Sequence, residues 1–222
     1  SGVNSNFFGM KNMEEFALPM KSVSEAMSLR NKLLQRFEKA VTLRDQNERK
    51  SLLNVIVVGG GPTGVELAGA IAEMKKFVLP KDYPDLNFDA MQISLVEGSP
   101  AVLGGMSKHA SEKALFYLKR LGINVMLNAK VTDYDGQVLS FADGEQIKTN
   151  TVIWAAGISG VLPEGIPAEV VGRGKRIIVD EFNQISGLPD VFALGDVSIM
   201  STTDYPNGHP QVAQVAIQQG LN

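Results

Sequence analysis

The sequence contains no cysteine, so disulfides, thiolate metal sites and a cysteine nucleophile are all excluded within this chain. Histidine is almost as scarce. His109 and His209 lie far apart, with no carboxylate cluster beside either, and no metal site is expected. No Ser-His-Asp arrangement can be assembled either. An excess of positive charge is also lacking: 21 Lys and Arg stand against 24 Asp and Glu, for a net charge of −3. A nucleic-acid partner, which calls for a basic face, is therefore not expected. No apolar run approaches the ~20 residues that span a bilayer, no leader segment opens the chain, and there is no internal repeat.

What is present suffices for a core. Hydrophobic residues make up 44% of 222 positions, room for one large domain or a domain with flanking pieces. Three regions differ in character. In 1–50, Ala26, Leu29, Leu33, Phe37, Ala40 and Val41 recur at spacings of three and four. This predicts a helix over 24–47 with one buried stripe, capped by Ser22 or Ser24. Region 51–158 reads as an α/β domain. The apolar run 52–58 predicts a buried parallel strand. A helix over 63–77 follows, broken by Pro80 and Pro84. Then come a strand over 92–97, a helix over 108–121, and strands near 124–127 and 130–134. A hairpin turns at Asp143-Gly144, and 152–154 is a last buried strand. Region 159–222 is rich in Gly and Pro, with short strands near 177–179 and 191–194. A helix starting near Gln211 runs to the chain end. Folds rarely stop inside a helix, so the chain is expected to be a fragment. The expected fold is α/β: a Rossmann-like parallel sheet flanked by helices over 51–158. It is joined by an incomplete lobe built from 1–50 and 159–222.

The strongest motif is Gly59-Gly60-Gly61-Pro62-Thr63-Gly64, a G-x-G-x-x-G match placed between a buried strand and a helix. Gly59 permits the tight turn, Gly61 lets the backbone approach a pyrophosphate, and Gly64 lets helix pack on strand. Pro62 and Thr63 open the helix whose free N–H groups would meet the phosphates. The bland alternative is a glycine-rich turn that binds nothing. Glu97 ends the second strand, where an acid accepts the adenosine ribose hydroxyls. It lies farther from Gly59 than the usual ~20 residues, and an insertion over 75–90 accounts for the excess. Glu97 would repel a 2′-phosphate, and Gly98, Ser99 and Pro100 supply no arginine, so NADH is expected over NADPH. The alternative for Glu97 is a solvated strand end. Ala156 and Gly157 leave room for a flat cofactor near the backbone, or simply form a tight turn. Glu66, read as lying in the first helical turn, is either a good helix-start residue or a neighbour of the nicotinamide.

The segment 54–69, NVIVVGGGPTGVELAG, resembles the NADH domain of the two-dinucleotide-binding flavoproteins. The segment 191–196, VFALGD, resembles their second FAD fingerprint; an apolar run ending in Gly-Asp is weak alone and better placed here. Two more segments, 77–86 (FVLPKDYPDL) and 213–220 (AQVAIQQG), are similar to the insertion and the AQxAxQQ segment of type II NADH dehydrogenases. That resemblance covers essentially the whole chain. It implies NAD(H) bound by this chain, FAD in the parent protein, and Gly195 and Asp196 on the ribityl side of FAD. Gln218 and Gln219 would sit beside the flavin as catalytic residues with Glu66. It further implies electron flow from NADH through FAD to a membrane quinone, without proton pumping, by a protein peripheral at the cytoplasmic face of the inner membrane. Compared with the family, an N-terminal FAD fingerprint and C-terminal membrane-docking helices are missing, so this chain alone is expected to be colourless and inactive. A homodimer is left open. Two other readings stay open: an FAD-dependent ferredoxin or nitrite reductase, and an NADH-sensing module without catalysis. Thioredoxin reductase and sulfide:quinone reductase would both need cysteines.

Overall fold

The computed structural model describes residues 2–221. In chain order the elements are β1 (Gly2–Ser5), α1 (Lys11–Phe16), β2 (Leu18–Pro19), α2 (Val23–Thr42), α3 (Gln46–Leu53), β3 (Val55–Val58), α4 (Pro62–Phe77), α5 (Leu79–Asp82), β4 (Ile93–Val96) and α6 (Lys108–Arg120). They continue with β5 (Asn124–Met126), β6 (Val131–Tyr134), β7 (Val138–Phe141), β8 (Gln146–Lys148), β9 (Thr151–Trp154), β10 (Ile158–Val161), β11 (Ile177–Val179), β12 (Ser198–Met200) and α7 (Ala213–Leu221). Two compact units result, 7–157 and 2–6 with 158–221.

The first unit is built on a five-stranded parallel sheet in the order β2-β9-β3-β4-β5. Strands β3, β4 and β9 are buried at every position, which explains why they are apolar at all but Ser94 and Thr151 rather than alternating. One face packs against helices through Val55, Val57, Leu95 and Ile153. The other face, with Ile56, Val58, Val96, Val152 and Trp154, packs against Tyr134, Leu139 and Phe141 of the antiparallel meander β6-β7-β8. The 138–148 hairpin is thus two thirds of that three-stranded meander.

Helix α2 starts at a complete capping box, with Ser22 Oγ accepting from Glu25 N–H and Glu25 accepting from Ser22 N–H. Its stripe of Leu29, Leu33, Phe37 and Ala40 is buried in the same core as Val55 and Leu95. This corrects the sequence-based division: of region 1–50, only 2–6 among the described residues group with the C-terminal region, and α2 belongs to the first unit. The cause is that apolar stripe, which the sheet covers. The segment read as an insertion joins the same core, because Leu79, Leu86, Phe88 and Met91 are buried there. Phe37 packs edge-on to Tyr83 and Phe88 at 6.1 and 6.0 Å. Truncation by Phe37→Ala should therefore cost about 3–5 kcal/mol, read by urea unfolding; a loss under about 1 kcal/mol would contradict this packing.

Two boundaries differ from expectation. The predicted 24–47 helix ends at Thr42, and a new helix starts where Asp45 Oδ1 accepts from Asn47 and Glu48 N–H. Leu52 and Leu53, read as strand, close that helix as its two buried residues. In the second unit β1 pairs antiparallel with β10, and β11 pairs parallel with β12. A small core of Val170, Ile177, Val179, Ile185, Ala193 and Val197 holds it. The expected strand at 191–194 is absent; only an isolated bridge, Gln184 to Phe192, forms there. Among the described residues, no helix is long and apolar enough to cross a membrane.

Candidate functional site

Strand β3 delivers the chain to its carboxyl end at Val58, and the glycine turn begins there. Gly59 has a φ of +116°, and a Cβ on it would lie 2.5 Å from the Ala155 carbonyl and 2.7 Å from Ala156 Cα. The turn is therefore pressed against the end of β9, and the small residues Ala155 and Ala156 are what permit it. Gly59 N–H donates to Val96 O at 2.8 Å, and Ala155 N–H to Val58 O at 2.8 Å, tying three strand ends together. A Cβ on Gly64 would sit 1.8 Å from Gly59 O, so helix α4 approaches the turn as closely as backbone allows. Gly61 is different. Nothing lies within 4 Å of where its Cβ would be. It is the N-cap of α4, with Pro62 at N1 and no side chain capping the helix. The first-turn N–H groups of a 16-residue helix are thus presented beside open space.

Glu97, half-buried at the end of β4, is bonded to backbone through both carboxylate oxygens. Its Oε2 accepts from Gly60 N–H at 2.6 Å and its Oε1 from Ser99 N–H at 2.8 Å. Gly60 is held from the other side as well, its carbonyl accepting from Leu103 N–H at 2.7 Å. Each carboxylate oxygen retains a further lone pair for a hydroxyl donor.

A cavity of about 510 Å³ opens at these strand ends. Gly59, Glu97, Gly98, Trp154 and Ala156 line it, as do Phe8, Met10 and Lys130. Its floor is apolar. Trp154 is buried and stacks on Phe7 at 5.6 Å, with Phe8 edge-on at 6.2 Å. Of the residues singled out in the sequence, Gly59, Glu97 and Ala156 meet at the cavity, and Gly61, Pro62, Thr63 and Gly64 form the adjoining turn and helix start. Gly157 ends the unit. Glu66 is exposed and lies beyond the first turn of α4, which holds no acid, so its presumed first-turn pairing with the helix dipole is corrected. Phe8, Met10 and Lys130 were not found by sequence reasoning. Lys130 reaches the site because Ala129 N–H donates to Glu97 O and Asn128 N–H to Ser99 O, at 3.0 Å each.

In the second unit Gly195, with φ +71°, begins a short 3-10 turn over 195–197. Gln219, buried on α7, accepts from Gly195 N–H at 2.7 Å through Oε1 and donates from Nε2 to Ser198 Oγ at 3.1 Å. Its amide is a clamp between α7 and the turn. Gln211 Nε2 adds a bond to Asp196 O at 2.9 Å. Gln218 is exposed. Arg176 donates to Ser198 O at 2.7 Å and to His209 O at 3.3 Å. Burial pushes its guanidinium below its ordinary value, and the Asp196 carboxylate acts in the opposite direction.

A parallel sheet with a glycine turn, a bare helix start and an acid at the next strand end defines a dinucleotide-binding α/β protein. The sequence profile of the pyridine nucleotide-disulphide oxidoreductase family matches residues 2–220, and the chain belongs to that family. With no cysteine, the disulphide of the family's name has no counterpart here. The chain is 34% identical over 98% of its length to the type II NADH:quinone oxidoreductase Ndh of Mycobacterium tuberculosis, of which it covers 48%. It is 32% identical over 99% of its length to the external alternative NADH-ubiquinone oxidoreductase of Yarrowia lipolytica, of which it covers 38%. The NDH2 structure from Plasmodium falciparum in complex with NADH superposes with a TM-score of 0.79 and 27% identity, covering 90% of this chain and 43% of that one. The chain thus spans half or less of the length of these relatives.

Proposed function

We propose that this chain is the NADH-binding portion of a type II NADH:quinone oxidoreductase. The turn at Gly59–Gly64 receives the pyrophosphate on the free N–H groups of α4, and Glu97 accepts the adenosine ribose hydroxyls. Ala156 and Gly157 leave the backbone open to the nicotinamide half, and Glu66 is assigned to that side. The observation that carries this reading is the open space above Gly61, next to three glycines of the same turn that have none.

The second unit has groups suited to a polyhydroxyl chain. Gly195 and Asp196 would hold FAD by its ribityl side, with exposed Gln218 toward the flavin. Gln219 acts by holding that turn in place. Bound FAD would accept a hydride from NADH and release the electrons to a quinone. In the parent protein this takes place at the cytoplasmic face of the inner membrane.

The single tryptophan provides the test. Trp154 lines the cavity, so NADH titrated into the chain should quench its emission and excite nicotinamide fluorescence by energy transfer. Saturable quenching without energy transfer from Trp154, or no quenching at all, would overturn the placement of the nucleotide. For the parent activity, the full-length protein should be yellow and should couple NADH oxidation to quinone reduction.

A further inference from the structure

The geometry points to Lys130 as a specificity-determining residue that lets this site take a 2′-phosphorylated adenosine, and hence NADPH as well as NADH. The inference rests on the nucleotide reading above and concerns only how the two forms are told apart. Glu97 and Lys130 are the two charged residues lining the cavity. From sequence alone, Glu97 stands as a bare negative charge that rejects a 2′-phosphate. In the structure both its oxygens are engaged by backbone N–H groups, at 2.6 Å from Gly60 and 2.8 Å from Ser99. Hydrogen bonds to the charged form spread and compensate that charge, and they turn it toward the glycine turn. Lys130 is the opposite case. It is exposed, and its ammonium has no hydrogen bond or ion pair among the described residues. Its position is set by backbone, not by side-chain packing, because 128 and 129 are hydrogen-bonded to 99 and 97.

The cavity is therefore lined by one committed anion and one uncommitted cation. An uncommitted ammonium on a flexible stem is a point charge that can follow a phosphate over a few ångströms. A 2′-phosphate on the ribose bound at Glu97 would enter the cavity that Lys130 lines. A neutral ribose hydroxyl would gain little from the same ammonium. The selectivity of the site is then set by a balance between residues 97 and 130.

The test compares NADH and NADPH by Trp154 energy transfer in the unmodified chain and in Lys130→Gln and Lys130→Met variants. The quantity read is the ratio of NADPH to NADH affinity. Both variants should lower this ratio about tenfold, the size expected for loss of one charge-assisted contact. The drop should shrink as salt is raised from 50 to 300 mM, since screening weakens an exposed contact. A change in the ratio of less than twofold, with both nucleotides still bound, would overturn the role of Lys130. If neither nucleotide bound even to the unmodified chain, the nucleotide reading itself would fall, and this inference with it.

Discussion

A Gly61→Val variant should fold as well as the unmodified chain and lose NADH, with affinity reduced by at least about a hundredfold, roughly 2.8 kcal/mol. Its fold should survive because nothing lies within 4 Å of the position a Cβ would take. Nor is the backbone strained there, since Gly61 has a φ of −72° and ψ of 179°, extended values that a β-branched residue adopts readily. The isopropyl group would instead occupy the space above the first turn of α4, where a pyrophosphate must come within hydrogen-bond distance of N–H groups. Calorimetry with NADH and urea unfolding, run on the same preparation, read the two effects separately. A folded variant with undiminished NADH affinity would mean that this turn is not the phosphate site.

Gly64→Ala, three residues on, should do the reverse. Its Cβ would stand 1.8 Å from Gly59 O, with backbone on both sides of the contact and no flexible side chain to yield. Helix α4 would have to move off β3, opening contacts made by Val65, Ala68, Ile71 and Ala72 with the core. The cost should be about 3 kcal/mol or more, visible as a lower urea midpoint, with NADH binding lost as a consequence. Unfolding at the same urea concentration as the unmodified chain would contradict the close approach of helix and turn. The pair of variants separates two uses of glycine within one motif, one to admit a ligand and one to admit a helix.

Much of the first unit was legible because its residues repeat their environment. Val55–Val58, Ile93–Val96 and Thr151–Trp154 are buried on both sides, so an apolar run marked each one. The stripe of α2 was equally plain, but which unit it would cover was not, since a stripe does not name the surface it packs on. Leu52 and Leu53 were misread because a helix end and a strand separated by Asn54 alone make one almost continuous apolar run. At 191–194 hydrophobicity misled in another way: Val191, Phe192 and Leu194 are exposed, and only Ala193 is buried. Strands β1, β2 and β12 are two to four residues long, too short for any period to show. At the cavity, the glycine turn was readable from spacing and Glu97 from its place at the end of a strand. Lys130 was not, because nothing local links it to Glu97; backbone bonds following β5 bring the two together. For Gln219, the resemblance suggested a place beside a flavin; the bonds of its buried amide to Gly195 and Ser198 had no signal in the sequence.

The double hold on Gly60, by Glu97 from one side and Leu103 from the other, bears on how fast a nucleotide is captured. A loop that closes only on its ligand spends part of its time in shapes that cannot bind, and its apparent affinity falls in proportion to the fraction that can. Here Gly60 is tied through both its N–H and its carbonyl, so the turn is expected to keep one shape as a nucleotide arrives. Encounter and capture then merge into a single step. Its rate should then be set by diffusion and orientation, at about 10⁵–10⁷ M⁻¹s⁻¹ or faster, and not by a rearrangement of the protein. Differences in affinity between one nucleotide and another would consequently be expressed in how long each stays.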